Sequence, residues 1–153
     1  IAWRAVRYGM NFPIWGDEAF VAINIMHRDF AALIDPLEYG QVVPLLFSWA
    51  QRAIGELLGY SEYALRLLPF LAGVASMLLF WRLAYRLVGR WNALLAVGIL
   101  AAAYYPVRHA AEVKPYSTDL LVALILPILA WRVHLQPGSG RRWSGLGTWA
   151  GPS

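Results

Sequence analysis

Cysteine is absent from the 153 residues, which removes any disulfide framework and any thiolate zinc site and leaves cysteine usage silent about compartment. Charge is scarce as well: Asp, Glu, Lys and Arg make up 14% of the chain, against about 25% in an ordinary soluble domain. Lysine occurs once, at Lys114, among 13 cationic residues. The space is filled by apolar residues, 59% of the total, with a mean hydropathy of +0.50. A soluble enzyme or a disordered segment has no use for that composition. A pI near 9.7 suggests nucleic acid, but the net charge is only +4 and the arginines are scattered among apolar stretches without forming a face. The composition is that of a membrane protein. No signal-peptide pattern precedes Trp15, and the chain, which starts at Ile1, reads as a piece of a larger polytopic protein.

A membrane-crossing helix needs about 20 apolar residues, because ~1.5 Å of rise per residue must cover a ~30 Å hydrocarbon core. Three segments meet or approach this. Residues 67–88 (LLPFLAGVASMLLFWRLAYRLV) carry their only charges, Arg82 and Arg86, near the end where they can snorkel. Residues 91–107 (WNALLAVGILAAAYYPV) are short but uncharged, and residues 117–134 (STDLLVALILPILAWRVH) contain Pro127 as an expected kink. The chain thus reads as an all-α polytopic integral membrane protein with about three transmembrane helices. Residues 1–135 form a partial membrane module, and 136–153 a cytoplasmic tail, a linker or a non-native end.

Two further stretches read as amphipathic helices lying in the interface. In 41–58, Ser48, Arg52 and Glu56 form a polar stripe opposite Leu46, Trp49, Ala50, Ala53 and Leu57. In 17–34, Asn24, His27 and Arg28 form the polar side. If 41–58 lies flat, the regions around Asp17 and Glu112 share one side of the membrane; if it spans, they face opposite sides. Arg82, Arg86 and Arg90 crowd the first tight turn, and Arg132, Arg141 and Arg142 follow the third span. By the positive-inside rule both clusters are cytoplasmic and the two carboxylate-bearing loops face outward.

Those loops hold the candidate chemistry. Trp15-Gly16-Asp17-Glu18 places two carboxylates together, although Asp also favours helix N-caps and Glu suits a first turn. The segment 104–116 packs Arg108, His109, Glu112, Lys114 and three tyrosines between two spans. An interfacial aromatic and basic belt explains most of it, but Glu112 is poorly placed beside lipid phosphates. His109 and Glu112 at i, i+3 are two metal ligands without a third. Carboxylates able to deprotonate a hydroxyl, beside cations able to neutralise a phosphate, suit transfer from a membrane-borne phosphate carrier.

W-G-D-E-A-F at 15–20 resembles the first-loop Asp-Glu motif of the C-superfamily membrane glycosyltransferases, especially family 39, the protein-mannosyltransferase and aminoarabinose-transferase-like group. S-E-Y-A-L-R-L-L-P-F-L-A-G-V at 61–74, W-R-L-A-Y-R-L-V-G at 81–89 and A-E-V-K-P-Y at 111–116 are similar to further stretches of that group. The likeness covers about residues 13–135. It departs at Gln41-Val42-Val43-Pro44-Leu45, where the group usually has a Pro-Pro pair. The resemblance implies a polyprenyl-phosphate-linked sugar donor, a lipid, glycan or protein acceptor, and inversion at the outer face of a membrane, taken as the bacterial inner membrane. It maps the general base to Asp17, with Glu18 beside it, and a substrate-positioning carboxylate to Glu112. Arg66, Arg108 and Lys114 are assigned from charge to the leaving phosphate, and Trp15 and Tyr116 to substrate binding. The sequence requires no cofactor and leaves a divalent metal open. The piece alone is expected to be inactive. Two other classes compete: a transporter or flippase using the carboxylates as a cation path, and a non-catalytic assembly subunit.

Overall fold

The computed structural model describes residues 1–14 and 16–134, with side chains through residue 130; the tail expected at 136–153 lies outside them. The described residues are helical throughout, without a strand: α1 (Ala2–Met10), α2 (Asp17–His27), short 3₁₀ turns at Ala32–Ile34 and Glu38–Gly40, α3 (Leu45–Leu58), α4 (Glu62–Ala102), α5 (Tyr104–Arg108), a 3₁₀ turn at His109–Ala111, and α6 (Tyr116–His134).

The long α4 is a hairpin. Gly89 sits at φ 78°, ψ 175°, outside helical geometry, a conformation open to a residue without a Cβ. The buried Arg4 shows the consequence. Its Nη2 reaches the Leu100 carbonyl at 3.5 Å, while its Nε lies 3.6 Å from where a Cβ on Gly73 would stand. One unbroken helix would hold residues 73 and 100 roughly 40 Å apart, so the chain turns back at Gly89. Arg82, Arg86 and Arg90 therefore gather at this far end, as the sequence suggested, and Arg82 and Arg86 share a cleft with Ile128 of α6.

The segment expected to span at 91–107 is not one helix. Ala103 is extended (φ −62°, ψ 126°), and the chain restarts as α5 before bending into α6. The helical stretches 104–111 and 116–130 meet at 115°. Among the described residues, only α4 is by itself long and apolar enough to cross a membrane, with that bent pair qualifying if it counts as one span.

Pro69 links α3 to α4. Lacking an N–H, it leaves the Leu65 carbonyl without its helical partner. The buried Gln51 of α3 fills the gap, its Nε2 donating to that carbonyl at 2.6 Å. This corrects part of the wet polar stripe expected on α3, of which Glu56 alone stays open, 45% exposed in its side chain and paired with Arg52. Ser48 and Gln51 are buried, and Arg52 donates to the Ile25 and Met26 carbonyls at the end of α2. The apolar Leu46 and Leu57 point outward instead, 77% and 81% exposed. A chain with polar groups inside and leucines outside suits an apolar surround. The helix expected over 17–34 stops at His27, because Arg28 is extended and its guanidinium holds the Ala32 and Pro36 carbonyls of a loop.

Candidate active site

The site forms where α1, α2, the start of α4 and the 109–115 loop converge. Gly16 caps α2 at φ 62°, which puts Asp17 and Glu18 in the first helical turn. Asp17 is therefore not the N-cap; its side chain is 71% exposed, and the Lys114 ammonium lies 2.8 Å from its Oδ2. Lys114 also donates to Gln41 Oε1 at 3.1 Å and is itself nearly buried. The hydrogen bond from Lys114, opposed by slight burial and helped by its charge and by the backbone at Asp17 and Glu18, holds Asp17 below the usual carboxylate range. Asp17 is thus fully ionised at neutral pH.

Glu18 turns the other way. Its Oε1 accepts from Arg66 Nε at 3.0 Å and from the Val113 N–H at 2.9 Å, and its Oε2 accepts from Arg66 Nη2 at 3.3 Å. Both partners are buried. Arg66 Nη1 also donates to the Phe12 carbonyl and to Asn11 Oδ1. One ion pair therefore ties the 11–12 loop, α2, α4 and the 112–115 loop together. It also settles the relation left open by the sequence, since both carboxylate-bearing loops lie at one end of the molecule.

Glu112 is engaged through both oxygens. Arg108 Nε donates to Oε1 at 2.5 Å, and His109 Nδ1 lies 2.7 Å from Oε2. Burial pushes the Glu112 carboxyl up, but the Arg108 guanidinium and His109 together bring it below its ordinary value. In return Glu112 raises Arg108. The His109 ring packs against Tyr116, at 4.4 Å between centroids, and against Tyr105 at 5.9 Å. His109 and Glu112 thus face each other, and among the described residues no group of three or more His, Asp or Glu gathers as a metal site.

Glu18, Arg66, Arg108 and Glu112 line one cavity of about 470 Å³ together with Arg7 and Tyr104. Asp17 and Lys114 sit outside its lining, each next in sequence to a partner of the Glu18–Val113 hydrogen bond. Tyr116 opens α6 and is half-exposed. Trp15 lies outside the described residues. Sequence reasoning missed Arg7 and Gln41 as members of the site. Arg7 had a signal: α1 carries two arginines, and the first acidic residue of the chain is Asp17.

Residues 42–152 match the family described as dolichyl-phosphate-mannose-protein mannosyltransferase. Arg66, Arg108, Glu112, Lys114 and Tyr116 fall inside the match; Asp17 and Glu18 precede it. No curated protein and no solved structure matches the chain.

Proposed function

The chain belongs to the dolichyl-phosphate-mannose-protein mannosyltransferase family, and we propose that its full-length protein moves a sugar from a polyprenyl phosphate to an acceptor hydroxyl, with Asp17 as general base. The family makes it a membrane glycosyltransferase of mannosyltransferase type. The observation that carries the residue assignment is the contrast in accessibility. Asp17 is ionised, open and fixed by Lys114, whereas the oxygens of Glu18 and Glu112 are already engaged.

The acceptor oxygen attacks the anomeric carbon on the face opposite the phosphate. The new glycosidic bond forms as the bond to the phosphate oxygen breaks, with inversion, and the electron pair leaves on the phosphate. The hydroxyl proton passes to the Asp17 carboxylate. A depressed pKa makes Asp17 a weak base, so it accepts the proton as positive charge develops on the attacking oxygen. Glu18 and Arg66 act as positioning residues that hold Asp17 and the 112–115 loop in register. Glu112 positions Arg108. The acidic residues of the long helices lie at their starts, Glu62 and Asp119, which gives a cation path through the helices no support.

The test is sugar transfer by the full-length protein in liposomes carrying a polyprenyl-phosphate sugar. Asp17→Asn should lower turnover by about two to four orders of magnitude, the usual worth of a general base, while insertion is kept. Unchanged turnover would end the assignment. The outward orientation is tested separately with single cysteines at Ala31, in the loop that follows α2, and at Arg90, beside the Gly89 turn of α4, both exposed. An impermeant maleimide on intact cells should label position 31 and spare position 90.

A further inference from the structure

The cavity beside Glu18 holds three guanidiniums and two carboxylates. Arg66 is paired with Glu18, and Arg108 with Glu112. Arg7 has no acidic partner among the described residues, and its Nε is buried without a hydrogen-bond partner. Its guanidinium is held over the Phe12 ring, 5.0 Å from the centroid, which fixes its position without satisfying its donors. Arg4, one turn earlier on α1, is 1% exposed and likewise leaves Nε and Nη1 unpartnered. The inner face of α1 thus delivers positive charge that no acidic side chain among the described residues cancels. A buried cation left in that state is costly unless an anion meets it.

We propose that Arg7, with Arg108 across the cavity, forms a binding site for a phosphate group. A guanidinium offers a planar fork matched to two phosphate oxygens, and Arg108 has spent only its Nε on Glu112. The exposed Tyr104 at the rim supplies a hydroxyl donor. Two sources carry this chemistry, a prenyl-linked phosphate and free phosphate. The former rests on the transferase reading and makes this the place where the departing phosphate collects. Arg66, assigned to the phosphate from sequence, is occupied by Glu18, Asn11 and the Phe12 carbonyl.

Phenylglyoxal footprinting of the full-length protein in phosphate-free maltoside micelles, read by mass spectrometry, tests the site without a substitution. Inorganic phosphate and decaprenyl phosphate are each titrated in. Arg7 modification should slow with bound anion, while Arg90 at the far end stays reactive. Protection by decaprenyl phosphate at much lower concentration assigns the site to the carrier; protection by inorganic phosphate alone keeps the anion site and overturns its assignment to the carrier. No protection by either overturns the proposal. With protection read at Arg108, which lines the same cavity, Arg7→Gln should bind the protecting anion about tenfold more weakly, the scale of one charge-assisted hydrogen bond, with Arg7→Lys between the two and Arg90→Gln unchanged. A protein that protects Arg7 but transfers no sugar refutes the transferase reading and leaves the anion site standing.

Discussion

Asp17 and Glu18 are neighbours in one helical turn, yet they meet opposite fates. Glu18 points into the protein, where Arg66 and the Val113 N–H take up its oxygens. Asp17 points out, held by the single ammonium of Lys114. A carboxylate whose oxygens are engaged in a buried pair is a structural tie, since releasing it to accept a proton would strand Arg66. A carboxylate that is ionised, exposed and anchored at one atom is free to take a proton. Adjacent acids thus divide the work by direction: successive helix positions lie about 100° apart, and only one faces the 112–115 loop and α4 from inside.

Paired substitutions break this comparison most strongly. Asp17→Asn should lower turnover by about two to four orders of magnitude and leave the fold intact. Glu18→Gln keeps the shape but strands the buried Arg66, and should cost about 3–5 kcal/mol of stability, read as a fall in the unfolding midpoint of the full-length protein. Activity should then fall because less protein folds. If Glu18→Gln instead folds as well as the parent and loses only transfer, the roles of the two acids are reversed.

A packing substitution sharpens the comparison at the third element. Gly73 of α4 faces the 109–111 turn so closely that an added Cβ would stand 2.9 Å from the Ala110 Cβ and 3.7 Å from its Cα. Both sides of that contact are buried. Gly73→Val must push the turn away from α4, at a cost of about 1–3 kcal/mol, and Arg108 and Glu112 shift with it. Transfer should decline more than the loss of folded protein accounts for, measured as turnover per folded molecule. A variant with normal turnover would show that the exact seating of Glu112 is immaterial.

How much of this was written in local sequence follows from the range of each interaction. The turn at Gly89 was legible, because a glycine followed by arginine interrupts two apolar runs. The two stripes of α3 were legible as a difference between faces, but periodicity does not say which face meets protein. Gln51 went inward because Pro69 left the Leu65 carbonyl unsatisfied, and that demand lies on another helix. The break at Ala103 had a local signal in Pro106, whose missing N–H suits the first turn of a restarted helix and not the interior of a continuous one, and a span read through to Val107 passes over it. The two carboxylate loops were legible as candidates, while the pairing of Glu18 with Arg66 spans 48 positions and leaves no periodic trace. Arg7 stayed hidden for the same reason, since its importance comes from the partners that Arg66 and Arg108 already have.

The smallest expected effect falls on Lys114, whose hydrogen bond is the main cause of the depressed Asp17 pKa. A carboxylate depressed in the folded state contributes stability above its unfolded value, near ~3.9, and loses it as pH falls through the lower folded value. Around neutrality the charge of Asp17 is therefore insensitive to pH. The acid limb of transfer, set by protonation of Asp17, should lie below the ordinary carboxylate range. Lys114→Met preserves length and apolar bulk in a nearly buried slot but removes the ammonium. It should move the acid limb upward toward the ordinary value, so that activity is lost at a higher pH than in the parent. Stability near pH 7 should change little, because Asp17 is mostly exposed and screened by solvent. Rates measured from pH 3 to 8 with a saturating donor decide it. A limb that stays in place would mean that Lys114 does not hold Asp17 in the working enzyme, and that the open acid of the pair owes its ionisation to the helix terminus alone.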